Sequence, residues 1–265
     1  MNAHRTTPHV LLGVTGSVAA GITPELVRQL ASNICGRDLQ VVATPASCYF
    51  WNPKELEAPP AAPPESNDWP PTHRDTTFRV WTDRDEWTGA QYVRGQDIPH
   101  IVLREWADVF CIAPCSANTL AKLAHGMSDN LLTSIARAWR RDRPIVLVPA
   151  MNTQMWEHPA TAEHLATLQR WYPKCTIVDP IVKTLACGEH GVGAMASMDA
   201  ITHHVAAAMT LSHATDPAAA VEDWHQKLNL RYTPEPGAAP YGAHVQSLAA
   251  ALWAADEWWA EHGGC

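Results

Sequence analysis

Several apolar runs in this chain end in residues able to do chemistry. After "HVLLGVT" (9–15) comes "GSVAA", a glycine and a hydroxyl that turn straight into a helical pattern. The backbone N–H groups of Gly16, Ser17 and Val18 would point outward there, and a helix start favours a phosphate. There is no full GxGxxG fingerprint and no Walker lysine, so a tight structural turn is the competing reading. After "ADVFCIAP" (107–114), Ser116 can cap the next helix, with Asn118 and Thr119 in its first turn. An ordinary N-cap would use the same residues. Two such starts at one edge of one sheet are more persuasive than either alone. A third run, "LQVVAT" (39–44), is followed by Ala46 and Ser47, which with Thr44 face the same edge.

Two further run ends differ in kind. "PAMNTQMW" (149–156) sets a lone amide, Asn152, among Met151, Met155 and Trp156, where turns ordinarily carry polar, flexible residues. Taken alone, Asn152 is a turn residue. The loop "VKTLACGEHGVGAMA" holds Cys187 beside Gly188. Burial as a filler is the usual fate of a free cysteine, but a thiol in a loop at a ligand edge is a candidate proton donor. His100, in "IPHIVLREWADV", is one histidine among 14 and is by default a surface or hydrogen-bonded residue. No paired Cys/His spacing points to a metal.

The elements that must position these residues follow from the pattern. The strand-like runs are 9–15, 39–44, 107–114, 144–150 and 175–179. Helical spacings separate them: "GSVAAGITPELVRQLASNI", "SANTLAKLAHG", "SDNLLTSIARAWRR", "TAEHLATLQRWY" and "SMDAITHHVAAAMTL". Continuous apolar strands alternating with helices imply a parallel sheet covered on both faces. The expected class is α/β, a doubly wound parallel sheet of flavodoxin-like or Rossmann-like type in a single domain, with ligands at the carboxyl ends of the strands. Residues 1–211 are expected to form that domain. Residues 52–78 read as a proline-rich surface insertion too irregular for regular structure. Residues 212–265 read as a linker and a C-terminal helical extension with Leu and Trp at helical spacing.

Composition narrows the function. At 265 residues, 46% hydrophobic and 17% charged, the chain is an ordinary soluble globular protein. A formal net charge of -8 argues against a general affinity for nucleic acid or an anionic membrane. The seven cysteines form no disulfide ladder and no zinc pattern, which fits a reducing, cytoplasmic compartment. No signal-peptide pattern and no membrane-length apolar run is present.

"GVTGSVAA", "TDRDEW", "HIVLREWADVFCIAPCSANTLAK", "SDNLLTSIARAW", "PAMNTQMWEHPAT" and "ACGEHGVGAMA", in this order, resemble the flavin-containing cysteine decarboxylases, and among them the phosphopantothenoylcysteine decarboxylases. The likeness covers roughly residues 9 to 210 apart from the insertion. It implies a flavodoxin-like fold that binds FMN, a homotrimer with sites at subunit interfaces, and conversion of 4'-phosphopantothenoylcysteine to 4'-phosphopantetheine for coenzyme A synthesis. It assigns to FMN Gly16, Ser17, Val18, Thr44, Ala46, Ser47, Ser116, Ala117, Asn118, Thr119 and Ala150. It makes His100 the essential histidine, Asn152 the substrate-holding amide with Met155 in an apolar collar around it, and Cys187 the proton donor. Lys183, Thr184 and Leu185 fall in the segment that closes over the substrate.

The implied chemistry is coherent. A cysteine carboxylate cannot lose carbon dioxide unaided, because the carbanion has nowhere to spread. Oxidation of the thiol by the flavin gives a thioaldehyde. Decarboxylation then leaves a delocalised enethiolate, and hydride return with a proton from Cys187 gives the saturated thiol. His100 would orient and exchange protons near the thiol. One departure is Glu105, where many relatives have a second arginine. Two alternatives remain in view: a peptidyl-cysteine decarboxylase, which stops at the enethiol and does not need Cys187, and a regulatory relative that inhibits a phosphatase.

Overall fold

A computed structural model describes residues 8–35, 38–57, 78–87, 91–184 and 190–213. Six parallel strands form its centre: β1 (Val10–Val14), β2 (Leu39–Ala43), β3 (Val80–Trp81), β4 (Val109–Cys115), β5 (Ile145–Pro149) and β6 (Cys175–Ile177). Their order across the sheet is β3-β2-β1-β4-β5-β6. Without the two-residue edge β3, this is the flavodoxin order, with its switch point between β1 and β4.

The sheet splits the core by strand alternation. Val10, Leu12 and Val14 of β1 pack on one side with Cys111 of β4 and Val146 of β5. Leu11, Phe110, Ile112 and Leu147 pack on the other. Helices α1 (Thr23–Leu30) and α9 (Met198–His213) cover the first side through Leu26, Leu30, Ile201 and Val205. The second side is covered by α4 (Pro99–Trp106), α5 (Ala117–Ala124), α6 (Leu131–Arg137) and α8 (Pro159–Trp171), which supply Leu103, Leu120, Leu132 and Leu168. Both faces are therefore dry, as the unbroken apolar runs require.

Four elements differ from the sequence expectation. The helix expected from residue 16 onward is broken: a 3-10 turn covers Val18–Ile22, α1 follows, and a π turn covers Ala31–Cys35. Pro24 sits at the start of α1, where its missing N–H costs nothing. Second, the first residues of the proline-rich insertion are structured. The turn α2 (Lys54–Glu57) buries Leu56, and Phe78 returns its N–H to the Leu56 carbonyl at 2.9 Å. Residues 58–77 lie outside the described residues, as does the C-terminal extension from residue 214.

Third, the chain after β3 forms α3 (Asp83–Glu86) and later α4, where no helix was expected. Fourth, the glycine-bearing loop is flanked by a two-stranded antiparallel hairpin, β7 (Ile181–Thr184) with β8 (His190–Ala194). A short helix α7 (Thr153–Glu157) completes the set.

Leu132 is fully buried on the face shared by β1 and β4. Its truncation in Leu132→Ala is expected to cost about 2–5 kcal/mol, read as a lower urea midpoint with the slope unchanged.

Candidate active site

The strand ends at the switch point are joined by one threonine. Thr15 is fully buried and follows β1 directly. Its hydroxyl donates to the Pro114 carbonyl at 2.8 Å and accepts from the Ser116 N–H at 2.8 Å. Its own N–H donates to the same carbonyl at 3.2 Å. The β1–β4 pairing ends at Gly13 opposite Ile112, and Pro114 has no N–H with which to extend it. Thr15 closes the gap.

Just beyond, two helix starts face one cleft. The N–H groups of Gly16, Ser17 and Val18 make no hydrogen bond among the described residues. Ser17 caps the 3-10 turn, its Oγ accepting from the Ala19 N–H at 3.4 Å. A Cβ on Gly16 would stand 2.6 Å from the Ala46 Cβ, so only glycine lets the β1 and β2 loops meet. On the other side Ser116 caps α5, accepting from the Thr119 N–H at 3.2 Å. The Ala117 and Asn118 N–H groups are left free among the described residues, at the positive end of the helix dipole. Five unspent N–H donors around one opening suit an anionic group.

The cleft has a volume of about 1060 Å³, at the upper end for small-molecule sites. Gly16, Ser17, Val18, Thr44 and Ala46 line one wall, and Ser116, Ala117, Asn118, Thr119 and Ala150 the next. Asn152, Met155, Lys183 and Thr184 line the third. Val18, Ile22, Phe50 and Met155 expose apolar surface along it, a fit for the faces of a flat ring system.

Two expected residues stand elsewhere, and two lie outside the described residues. Ser47 is fully buried behind the wall and does not line the cleft. Its hydroxyl donates to the Thr44 carbonyl at 2.7 Å and its N–H to Thr44 Oγ1 at 3.3 Å, so it shapes the turn that presents Thr44. His100, at the start of α4, is not among the residues lining this cleft; its ring meets Glu86 instead. Leu185 and Cys187 lie outside the described residues.

Asn152 caps α7: its Oδ1 accepts from the Met155 N–H at 2.8 Å, leaving the amide Nδ2 as the half available to a ligand. The apolar collar is thinner than the sequence suggests. Met151 is buried and Trp156 half-buried, but Met155 is 50% exposed and Asn152 itself is exposed. The amide stands at a rim because α7 has only one turn, whose apolar side chains cannot all fold back over its own cap. The hairpin is seated on this turn. The Met151 N–H donates to the Gly193 carbonyl at 3.0 Å. Gly193 has φ +135, and a Cβ there would approach the Met151 carbonyl to 2.4 Å, so glycine is required on both counts.

Sequence reasoning passed over a polar corner of the cleft formed by Asp83, Lys122, Asp129 and Asn130. Lys122 bonds Asp129, and that hydrogen bond holds the Asp129 carboxyl below its ordinary range. Asp83 accepts the Leu131 N–H at 3.0 Å and Asn130 the Thr133 N–H at 2.9 Å, so both cap α6. The "SDN" before "LLTS" was a readable cap signal. Glu105, the departure from the family pattern, pairs with Arg104 at 2.8 Å on the surface. Arg143 instead clamps that end of α4, donating to the Arg104 carbonyl at 2.8 Å and the Ala107 carbonyl at 2.5 Å. Cys115 and Cys175 are buried thiols pushed up to about 12 by burial, and Cys111 is raised further by burial and Cys115. None of the three is poised to react.

Comparison with known proteins gives a consistent picture. The Flavoprotein family model matches residues 1–210. A phosphopantothenoylcysteine decarboxylase of Oryza sativa subsp. japonica is 40% identical over 198 residues, which are 75% of this chain and 79% of the relative. A cysteine-to-serine variant of a phosphopantothenoylcysteine decarboxylase, solved in complex with pantothenoylaminoethenethiol, superposes with a TM-score of 0.63 at 39% identity. That match covers 75% of this chain and 96% of the other. The FMN-binding protein AtHal3 superposes with a TM-score of 0.61 at 39% identity, over 75% of this chain and 95% of its own.

Thr15→Val keeps the shape but leaves the buried Ser116 N–H without an acceptor. It is expected to cost about 1–3 kcal/mol, with Thr15→Ser near the parent, both measured by urea unfolding.

Proposed function

The chain belongs to the flavoprotein family, among the phosphopantothenoylcysteine decarboxylases, and from that premise we propose how its residues divide the work. The enzyme is an FMN-dependent decarboxylase that converts 4'-phosphopantothenoylcysteine to 4'-phosphopantetheine in coenzyme A biosynthesis. The observation that carries the site assignment is the convergence of two unspent helix starts, at Gly16–Val18 and Ala117–Asn118, on one apolar-walled cleft that also contains the Asn152 amide.

FMN, when bound, supplies the oxidation of the cysteinyl thiol and the later return of hydride. The free N–H groups of Gly16, Ser17, Val18, Ala117 and Asn118 hold its anionic and polar edges, with Thr44, Ala46, Ser116, Thr119 and Ala150 completing the walls. Ser47 acts through the Thr44 turn. Asn152 offers its Nδ2–H to the substrate carboxylate, since its Oδ1 is engaged by α7. Met155 covers the apolar part of the substrate, and Lys183, Thr184 and Leu185 close over it. Cys187 donates the proton that completes reduction to the saturated thiol. The enethiol held by the cysteine-to-serine relative supports a thiol donor at that last step.

His100 works on the cleft of a neighbouring subunit in a homotrimer. It does not line its own cleft, its side chain is 26% exposed, and the same helix start carries the exposed Ile98, Ile101 and Val102. Residues 1–211 form the catalytic domain and 212–265 an extension. The protein is cytoplasmic, which keeps the donor thiol reduced.

Purified protein with its flavin spectrum recorded, given 4'-phosphopantothenoylcysteine and analysed by mass spectrometry, is expected to yield the saturated thiol with loss of carbon dioxide. Cys187→Ser should stall at the enethiol, about two mass units lighter because one hydride and one proton are missing. A yellow protein that leaves this substrate untouched but acts on a peptide ending in cysteine would overturn the substrate assignment.

Shared sites have their own test. His100→Asn, left with only a small residual rate, and Cys187→Ser, stalled at the enethiol, are expected to recover activity when co-assembled, with up to about a quarter of sites intact under random mixing of subunits. No recovery in a verified mixed trimer would place His100 in its own cleft.

A further inference from the structure

The group that meets His100 is a buried carboxylate that does more than accept a helix-start N–H. Glu86 is the last residue of α3, and its side chain is only 4% exposed. One carboxylate oxygen, Oε2, accepts the backbone N–H of His100 at 3.2 Å. The other, Oε1, meets the ring nitrogen Nδ1 of the same residue. We propose that Glu86 is the positioning residue for His100, fixing both its ring orientation and its tautomer for the proton transfers of the decarboxylation. The inference rests on the proposed acid/base role of His100.

The chemistry leaves little freedom. A carboxylate only accepts hydrogen bonds, so both groups facing Glu86 must donate. Nδ1 therefore carries a proton, and in the neutral imidazole this leaves the lone pair on Nε2, which has no partner among the described residues. The unbound nitrogen belongs to a ring 26% exposed, whereas Nδ1 is turned into the buried carboxylate. Nε2 is thus the atom that can take or give a proton at a ligand. A second-sphere acceptor of this kind fixes an imidazole wherever its unused nitrogen must do work.

Both partners are held independently. The start of α3 is locked by Asp85, whose Oδ2 accepts the Thr82 N–H at 2.7 Å and the Thr82 hydroxyl at 2.9 Å. Asp83 ties the same short helix to α6 through the Leu131 N–H. Arg143 holds the far end of α4. Three carboxylates in four residues thus have three separate partners. Glu86 alone points at a residue with no structural need for it beyond one helix-start N–H, which water or a neutral acceptor could satisfy.

Glu86→Gln separates the two duties. An amide has one accepting oxygen and one donating NH2. If the oxygen keeps the His100 backbone N–H, the NH2 faces Nδ1, which must then accept, and the ring proton moves to Nε2. The orientation is kept and the working nitrogen is blocked. The expected result is a fall in kcat of at least about tenfold, the usual scale for losing such an outer partner, with KM within about threefold because no substrate contact is removed. In a His100→Asn background the same change should cost less than about twofold, since groups acting as a unit are not additive. Nitrogen-15 NMR of the imidazole, with His100 assigned by its loss in His100→Asn, should show Nδ1–H in the parent enzyme and Nε2–H in Glu86→Gln. Parent His100 protonated on Nε2, or an equal loss of kcat in both backgrounds, would overturn the proposal. The NMR result does not depend on turnover, so a parent protein that leaves phosphopantothenoylcysteine intact would count against the function alone.

Discussion

The hydroxyl of Thr15 is the interaction on which the site depends. A doubly wound sheet opens a crevice wherever the chain leaves two neighbouring strands in opposite directions. Here β4 carries Pro114, which cannot donate, and its pairing with β1 stops at Ile112. Thr15 accepts the Ser116 N–H and donates to the Pro114 carbonyl, bridging β1 to β4 with one buried atom. This fixes Gly16 and Ser116, the first residues of the two helix starts, on opposite lips of the crevice. An alanine would leave the buried Ser116 N–H unpaired, and a larger polar side chain would force the lips apart. A hydroxyl on a β-branched residue satisfies both the packing and the bonding.

Much of the fold was legible, and the reasons are local. The strands could be read because a parallel sheet dry on both faces needs unbroken apolar runs, and residues 10–14, 109–115 and 145–149 are such runs. The cap at Ser116 was legible because its role is decided by atoms within three residues. By contrast α3 has four residues, too few to show a period. The charges of "TDRDEW" suggest a solvated turn, yet Glu86 is buried because its partner lies 14 residues on. Ser47 shows the opposite failure. A hydroxyl at a ligand-bearing edge suggests contact, but the tight turn at Thr44 uses both its N–H and its Oγ. The hairpin around the glycine loop was missed because Gly193 is there to admit the Met151 carbonyl, a long-range demand that composition cannot reveal.

The departure at Glu105 illustrates how charge at a helix end can be kept while the residue changes. The carbonyls closing α4 need donors or cations. Glu105 supplies neither and draws Arg104 to itself on the surface. Arg143, from the turn before β5, places its guanidinium on those carbonyls instead. The helix that presents His100 is therefore held at its start by a carboxylate and at its end by a guanidinium, each of the sign the macrodipole prefers.

The exposure of Asn152 bears on why such an enzyme would share its sites. Loss of carbon dioxide removes a charge, so it is favoured where water is excluded and the carboxylate is held by few, directed bonds. Among the described residues the amide stands at a rim, Met155 is half in solvent, and His100 does not line the cleft. The helix starts offer donors for a flavin, while no described residue covers Asn152 and His100 stays off the cleft walls. On the proposed trimer, one neighbouring surface would do both at once: its apolar Ile98, Ile101 and Val102 displace water while the adjacent His100 enters with its tautomer already set by Glu86. Cofactor retention would then belong to the single chain and decarboxylation to the assembly.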